Sequence, residues 1–354
     1  MHPTRLALRL LALFTLSACG DPASTPAPSS GADAEAPPPD ADATRDARDA
    51  SASGTIASRH PHDVGIANDP EVVFAEAFEE LTIGATQARF NSETYLLNGD
   101  LMALSPDVPK RSGGVRSLAL RTTDQRGSTA LFKLLDGEYD ELFMRYYVKY
   151  PSHGPWHHTG IWMGGYQPRS PYASPGAGSL PDGDDRVSVA VEPVDRSTSN
   201  PRLDLYMYWM KMHPGGDGMY WGNVVINQTA FRSRDDEWMC VEEHVKLNTD
   251  PGSMDDAELD VWLDDSLVRH FDSKGPRGYT IAGLFCSETA DTADCSNYRP
   301  KNGGVDEILD LRWRKSSKLR LNHIWPQNDS FGASTLYLDD VVVAKRRVGC
   351  IVEP

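Results

Sequence analysis

The sequence has no apolar run long enough to cross a bilayer, no excess of basic charge, no C-x-x-C or histidine-rich spacing, and few stretches with the period of a long amphipathic helix. Each absence removes a class of answer. A membrane span needs about 20 apolar residues, and the N-terminal run that follows Arg9 breaks off at Ser17. With 35 Lys and Arg against 51 Asp and Glu, the net charge of -16 excludes a nucleic-acid binder, whose surface must be basic. The same balance counts against a polyanionic substrate unless basic residues gather locally. No zinc site is expected. The chain also lacks an internal repeat and a second linker, so one folded domain is the default.

What is present begins at the N-terminus. "MHPTRLALRLLALFTLSACGD" places Arg5 and Arg9 before a short apolar run, the layout of a secretory signal over residues 1–18. Its ending, Leu16-Ser17-Ala18-Cys19, resembles the bacterial lipoprotein box, which implies that Cys19 is lipidated and anchors the chain to a membrane of the cell envelope. Residues 19–69 are rich in Ala, Pro, Ser and Asp, with almost no large apolar residue to repay ordering. They read as a tether, reaching about 40 Å for some fifty flexible residues. The folded domain is expected over residues 70–354.

Of the five cysteines, lipidation of Cys19 would leave Cys240, Cys286, Cys295 and Cys350. An exported chain can oxidise them. Three pairings are possible; the favoured one joins Cys286 to Cys295 and Cys240 to Cys350.

Alternation marks the strands. In "RVSVAVE" Val187, Val189 and Val191 oppose Arg186, Ser188, Ala190 and Glu192, and in "ELDVWLD" Leu259, Val261 and Leu263 oppose Glu258, Asp260, Trp262 and Asp264. "LYMYWMKMH" separates Leu205, Met207 and Trp209 from Tyr206, Tyr208 and Met210. The first set is expected in a core and the second in an aromatic groove. Turn clusters such as "PGGDG", "DPGS" and "KNGG" divide such runs, which predicts an all-β, two-sheet antiparallel jelly-roll sandwich with a core about 10 Å thick. On this pattern Glu242, His244, Lys246 and Asn248 share one face of a strand, which a solvated convex sheet explains as well as a cleft does, and Trp313 reads as buried between outward-facing Arg312 and Arg314.

"EWMCVEEHVKLN", "ELDVWLDDSLV" and above all "LYLDDVVVA" resemble the concanavalin A-like jelly rolls of carbohydrate-active proteins. Within that group, the order of "HHTGIWMGG", "DDRVSVAVEP" and "LYMYWMKMH" is similar to the alginate-lyase-type polysaccharide lyases of family fourteen. The resemblance implies a site on the concave sheet, with His157 at the family's basic position, Ser188 at its serine, and Tyr206 and Tyr208 at its tyrosine pair. The chain departs from the family in having histidine for lysine, and in having Ala190 where an arginine belongs, with Arg186 four residues earlier.

β-Elimination from a uronic acid needs a group that neutralises the sugar carboxylate, a base for the C5 proton and an acid for the leaving oxygen. Arg186 is the candidate for the first role, Tyr208 or His157 for the second and Tyr206 for the third. His158, Trp162, Glu192, Lys211, Tyr220, Trp221 and Asn223 would line the groove and bind sugar, stacking aromatic faces on pyranose rings. A glycan-binding module without catalysis needs only that lining, and is the alternative. A glycoside hydrolase is less favoured: Glu258 and Asp264 lie about 20 Å apart along a strand at roughly 3.3 Å per residue, whereas paired catalytic carboxylates lie within about 9.5 Å. No cofactor is expected, although the carboxylates of "PDGDDR" could hold a structural Ca²⁺.

Overall fold

A computed structural model of the chain describes residues 54–90, 96–172, 176–195, 197–298 and 307–354. The signal segment, Cys19 and most of the tether lie outside the described residues. The fold is the expected two-sheet jelly-roll sandwich.

The smaller sheet, 8-stranded, runs Ser266–Phe271, Glu258–Leu263, Trp238–Lys246, Glu141–Lys149, Ser334–Ala344, Ser117–Thr122, Met102–Ser105, with Val72–Glu76 also paired to Ser334–Ala344. The larger, 11-stranded, has at its centre Asn223–Val224, Leu203–Tyr208, Arg186–Pro193, Thr159–Tyr166 and Leu321–Asn328. Pairing within it is antiparallel except between Val224 and Leu284. The hairpin between Glu258–Leu263 and Ser266–Phe271 turns on Asp264 and Asp265, at φ 51° and 64°. A tight two-residue hairpin requires that left-handed geometry, which aspartate tolerates because its short side chain bonds locally.

The alternation read from sequence sorts residues as expected. Leu205, Met207, Val187, Val189 and Val191 are buried between the sheets with Val241, Val245, Leu259 and Val261 of the opposite sheet. Trp209 follows them into the core and donates its indole N–H to Asp310 O at 2.7 Å. The disulfides are Cys240–Cys350 and Cys286–Cys295, with Cα separations of 6.0 and 5.4 Å.

Three expectations are corrected. The tether does not extend to residue 69. Residues Ala57–Arg59, Pro61–Asp63 and Ile66–Asn68 form 3₁₀ turns, and Ile56 and Ala57 donate backbone bonds to Arg347 O and Val348 O at 3.1 and 2.8 Å. Composition hid this because only Ile56, Val64 and Ile66 are large and apolar, and Val64 is exposed; backbone pairing to the C-terminal segment supplies the rest. The second correction follows from the first. Since the segments around Ile56 and Val348 lie over part of the outer face of the smaller sheet, Glu242 there is buried, at 1 % exposure; His244, stacked on Phe143, and Asn248 are buried as well. Glu242 accepts Val348 N and Gly349 N at 2.6 and 3.0 Å. Third, Arg314 is buried beside Trp313, donating to Asn248 O, Leu319 O and Asp140 Oδ1 at 3.0, 2.9 and 2.6 Å.

Candidate functional site

The outer face of the larger sheet is assembled by register. Tyr206, Ala190, Trp162 and Trp325 stand in one cross-strand row, and Tyr208, Ser188, Gly164 and His323 in the next. Glu192 stands opposite Asp204 on the same face. Side chains on one face of neighbouring strands meet, so Arg186, Ser188, Tyr206 and Tyr208 do share a surface.

That surface is not one open trough. At one end the segments 176–185 and 209–222 fold over it. Tyr208 and Ser188 are only 2 % and 3 % exposed, and the Tyr208 hydroxyl donates to the Trp221 carbonyl. Gly222, at φ 104°, lies so close to the Tyr206 ring that a Cβ there would collide with it. Arg186 is spent on the same cover: its guanidinium pairs with Asp185 and donates to Ser179 O and Ser179 Oγ at 2.8 and 2.9 Å. Asn223 braces the cover too, bonding both the N–H and the carbonyl of His213 at 2.7 Å. Lys211 and Tyr220 are half-buried within it, while Trp221 is 46 % exposed with its indole N–H on Asp217 Oδ2 at 2.7 Å. The carboxylates of "PDGDDR" have local work. Asp182 caps Asp184 N at 2.6 Å, Asp185 accepts Asp182 N at 2.9 Å, and Asp184 accepts Ser316 Oγ at 2.7 Å.

The other end is open, as a cleft of about 190 Å³ lined by Trp156, His157, His158, Glu192, Tyr206 and Phe331 among others. His158 Nδ1 meets Glu192 Oε1 at 2.7 Å. Its ring centre is 5.1 Å from that of Tyr206, and Trp162 stands edge-on to Tyr206 at 5.8 Å. His157 bonds Asp329 O at 3.1 Å and packs between His158 and Phe331, at 3.9 and 4.1 Å. His158 has φ 43°, a left-handed backbone that a non-glycine residue holds only where its surroundings fix it.

The electrostatics separate these groups. Burial pushes the Glu192 carboxyl up. Burial also acts against charge on His158, but the Glu192 charge and hydrogen bond outweigh it, so that ring too lies above the usual imidazole value. Both directions keep one proton within the pair. Nδ1 is committed to Glu192, and Nε2 makes no hydrogen bond among the described residues. The tyrosines are phenols: burial pushes Tyr208 up to about 12 and Tyr206 higher still, with the Tyr206 hydroxyl bonded to Tyr208.

His323, Trp325 and Gln327 were not drawn from the sequence, although "NHIWPQN" alternates and its last strand pairs with Thr159–Tyr166. Burial holds His323 down at about 3, so it is neutral, stacked 4.3 Å from Tyr166. Among the described residues, His244, Glu258 and Asp260 bring potential metal-ligand atoms within 4.8 Å of one another, on the outer face of the opposite sheet.

No protein-family model and no curated protein matches the chain. Its neighbours among solved structures include jelly-roll polysaccharide lyases. Alginate lyase Aly36B is 13 % identical over 78 % of this chain and 98 % of that one, with a TM-score of 0.47. The marine PL-14 alginate lyase from Aplysia kurodai is 13 % identical, over 78 % and 99 %, with a TM-score of 0.47. An endo-β-1,4-glucuronan lyase from the fungus Trichoderma reesei is 10 % identical, over 78 % and 96 %, with a TM-score of 0.40.

Proposed function

We propose that the chain is an envelope lipoprotein that cleaves a uronic-acid polysaccharide by β-elimination at the open end of the larger sheet. One observation carries the reading: His158 is oriented by Glu192 at 2.7 Å, beside the Tyr206 ring, at the mouth of the cleft. An imidazole whose Nδ1 is fixed by a carboxylate presents Nε2 as a base of raised strength, as in other carboxylate–histidine pairs. His158 Nε2 takes the C5 proton, the C5–H electrons form the C4–C5 double bond, and the C4–O bond breaks. Tyr206, a phenol, protonates the departing oxygen, with Tyr208 bonded behind it. His157 is the cleft residue placed to meet the sugar carboxylate; no lysine or arginine lines the cleft among the described residues. Phe331, 65 % exposed at the cleft, offers apolar surface to the ring, whereas Trp162 is buried behind Tyr206 and does not line the cleft.

The test is incubation with alginate, glucuronan and pectin-type polymers while following ultraviolet absorbance of the unsaturated uronate product. A rise with the native chain, lost in His158→Gln, supports the reading; a flat trace with every polymer overturns it. Non-catalytic glycan binding is favoured by one observation of its own: Arg186 and Tyr208, two residues to which elimination chemistry was assigned, are bonded into the cover. Retained binding on a glycan array with no absorbance change selects it. For the anchor, labelled palmitate incorporated by the native chain and not by Cys19→Ser supports lipidation, and equal labelling excludes it.

A further inference from the structure

The strand that follows His158 and the strand that carries Glu192 stop pairing with each other just before they reach those residues, although each keeps its other neighbour. The ladder between Thr159–Tyr166 and Arg186–Pro193 ends at Trp162 opposite Ala190. One position further on, three polar side chains from the inner face of the opposite sheet take up the backbone groups. Glu243 Oε1 accepts Val191 N–H at 2.8 Å. The Tyr146 hydroxyl accepts Ile161 N–H and lies 3.4 Å from both Val191 O and Glu243 Oε1. Tyr150 donates to Thr159 O at 3.0 Å. Residues 159, 161 and 191 therefore have their backbone held from behind, through the core, immediately beside His158 and Glu192.

A core built only for stability would not do this. Glu243 stands between Val241 and Val245 on a face that is otherwise apolar, and all three are fully buried. Burial pushes its carboxyl up to about 8, and Oε2 has no hydrogen-bond partner among the described residues. A carboxyl in such surroundings costs several kcal/mol unless its bonds repay it. The shorter of the two bonds it accepts comes from the N–H of Val191, the residue that precedes Glu192, and the longer from the Tyr146 hydroxyl.

We propose that Glu243 is a positioning residue for the His158–Glu192 pair: by holding Val191 N–H it fixes the direction from which Glu192 meets His158. The consequence for turnover rests on the lyase reading, but the geometric claim does not. Nitrogen-15 NMR of the His158 ring, titrated in the full chain, reads the contact directly. Because Glu243 is protonated below about pH 8, replacing it removes no charge there. Glu243→Gln keeps the acceptor for Val191 and should leave the His158 titration in place. Glu243→Leu removes the acceptor and should move the midpoint down by about 0.5 or more, with near-ultraviolet circular dichroism unchanged. Should the leucine variant not fold, Tyr146→Phe deletes one bridging hydroxyl, keeps the ring, and should shift the same midpoint down. If folded Glu243→Leu titrates as the native chain does, or if folded Tyr146→Phe does where leucine fails, the proposal is overturned. Where the native chain turns over substrate, Glu243→Leu should lower kcat about 10-fold with KM within about 2-fold, and equal kcat would overturn the role in turnover. A native chain without turnover overturns the lyase reading and leaves the NMR result to decide this one.

Discussion

Each sheet carries, on its outer face, a histidine bound to a buried carboxylate, and the two arrangements are built for different ends. On the smaller sheet His244 gives Nδ1 to Asp260 at 2.6 Å and Nε2 to Glu141 at 2.9 Å, while His270 lies between the other Asp260 oxygen and Asp272. Phe143 stacks on His244 at 4.0 Å. Both imidazole nitrogens are committed, so the ring has nothing left to exchange. Burial acts against its charge, but Asp260 and Glu141 outweigh that and hold His244 up at about 9, with Asp260 down at about 2. On the larger sheet His158 commits one nitrogen to one carboxylate and presents the other to a cleft. The first is a strut, and the second is the one to which the proposed lyase reading assigns chemistry; the number of bonds per ring separates them.

The difference can be broken at either side. The largest effect is expected from His244→Ala, which leaves Glu141 and Asp260 facing a void. Unfolding in urea should show a loss of about 3–5 kcal/mol, against about 1 kcal/mol for His158→Ala, whose ring is partly exposed. The pH dependence comes next. The folded value of about 9 for His244 lies above its unfolded value of 6.5, so its contribution is complete below pH 6.5 and is lost as pH rises through 9. About 3 kcal/mol of stability should disappear across that window, and His244→Gln should flatten the slope. The Asp260 shift describes the same contact and adds no second loss there. It acts at the acid end, present above pH 3.8 and lost as pH falls through about 2. Third, His158→Gln should cut turnover of a uronate polymer by about 100-fold or more, while His244→Gln leaves kcat within about 2-fold. Equal losses in the two variants would erase the distinction between strut and reagent. The smallest effect is expected from Tyr208→Phe, which removes the hydroxyl from Trp221 O and keeps the ring. Stability should fall by about 1 kcal/mol, with kcat lowered less than by Tyr206→Phe; the reverse order would return the chemistry to Tyr208.

Much of this was legible in the residues. Period-two alternation placed Arg186, Ser188, Glu192, Tyr206 and Tyr208 on one face, because successive strand side chains must point to opposite sides. It could not show that Asn223 and Arg186 would pin two loops over half of that face, since loop paths depend on contacts far away in sequence. Glu243 was legible only as the odd member of an apolar row. Its partners, Val191 and Tyr146, lie 52 and 97 residues away. His244 misled for the same reason: its face reads as solvated until Phe143, Glu141 and Asp260 of the flanking strands, the last two 103 and 16 residues away, are seen packed on it.

By itself the sequence determined which side chains face together, that the core lies between two sheets, and which cysteine pairing to favour. Those follow from local geometry repeated along the strands, and from a reducible set of pairings. Only the tertiary structure decided which part of the shared face stays open, which histidine keeps a nitrogen free, and which buried carboxyl stands behind the pair. Those depend on loops, termini and an opposing sheet brought close by folding, and distance along the chain carries no record of them.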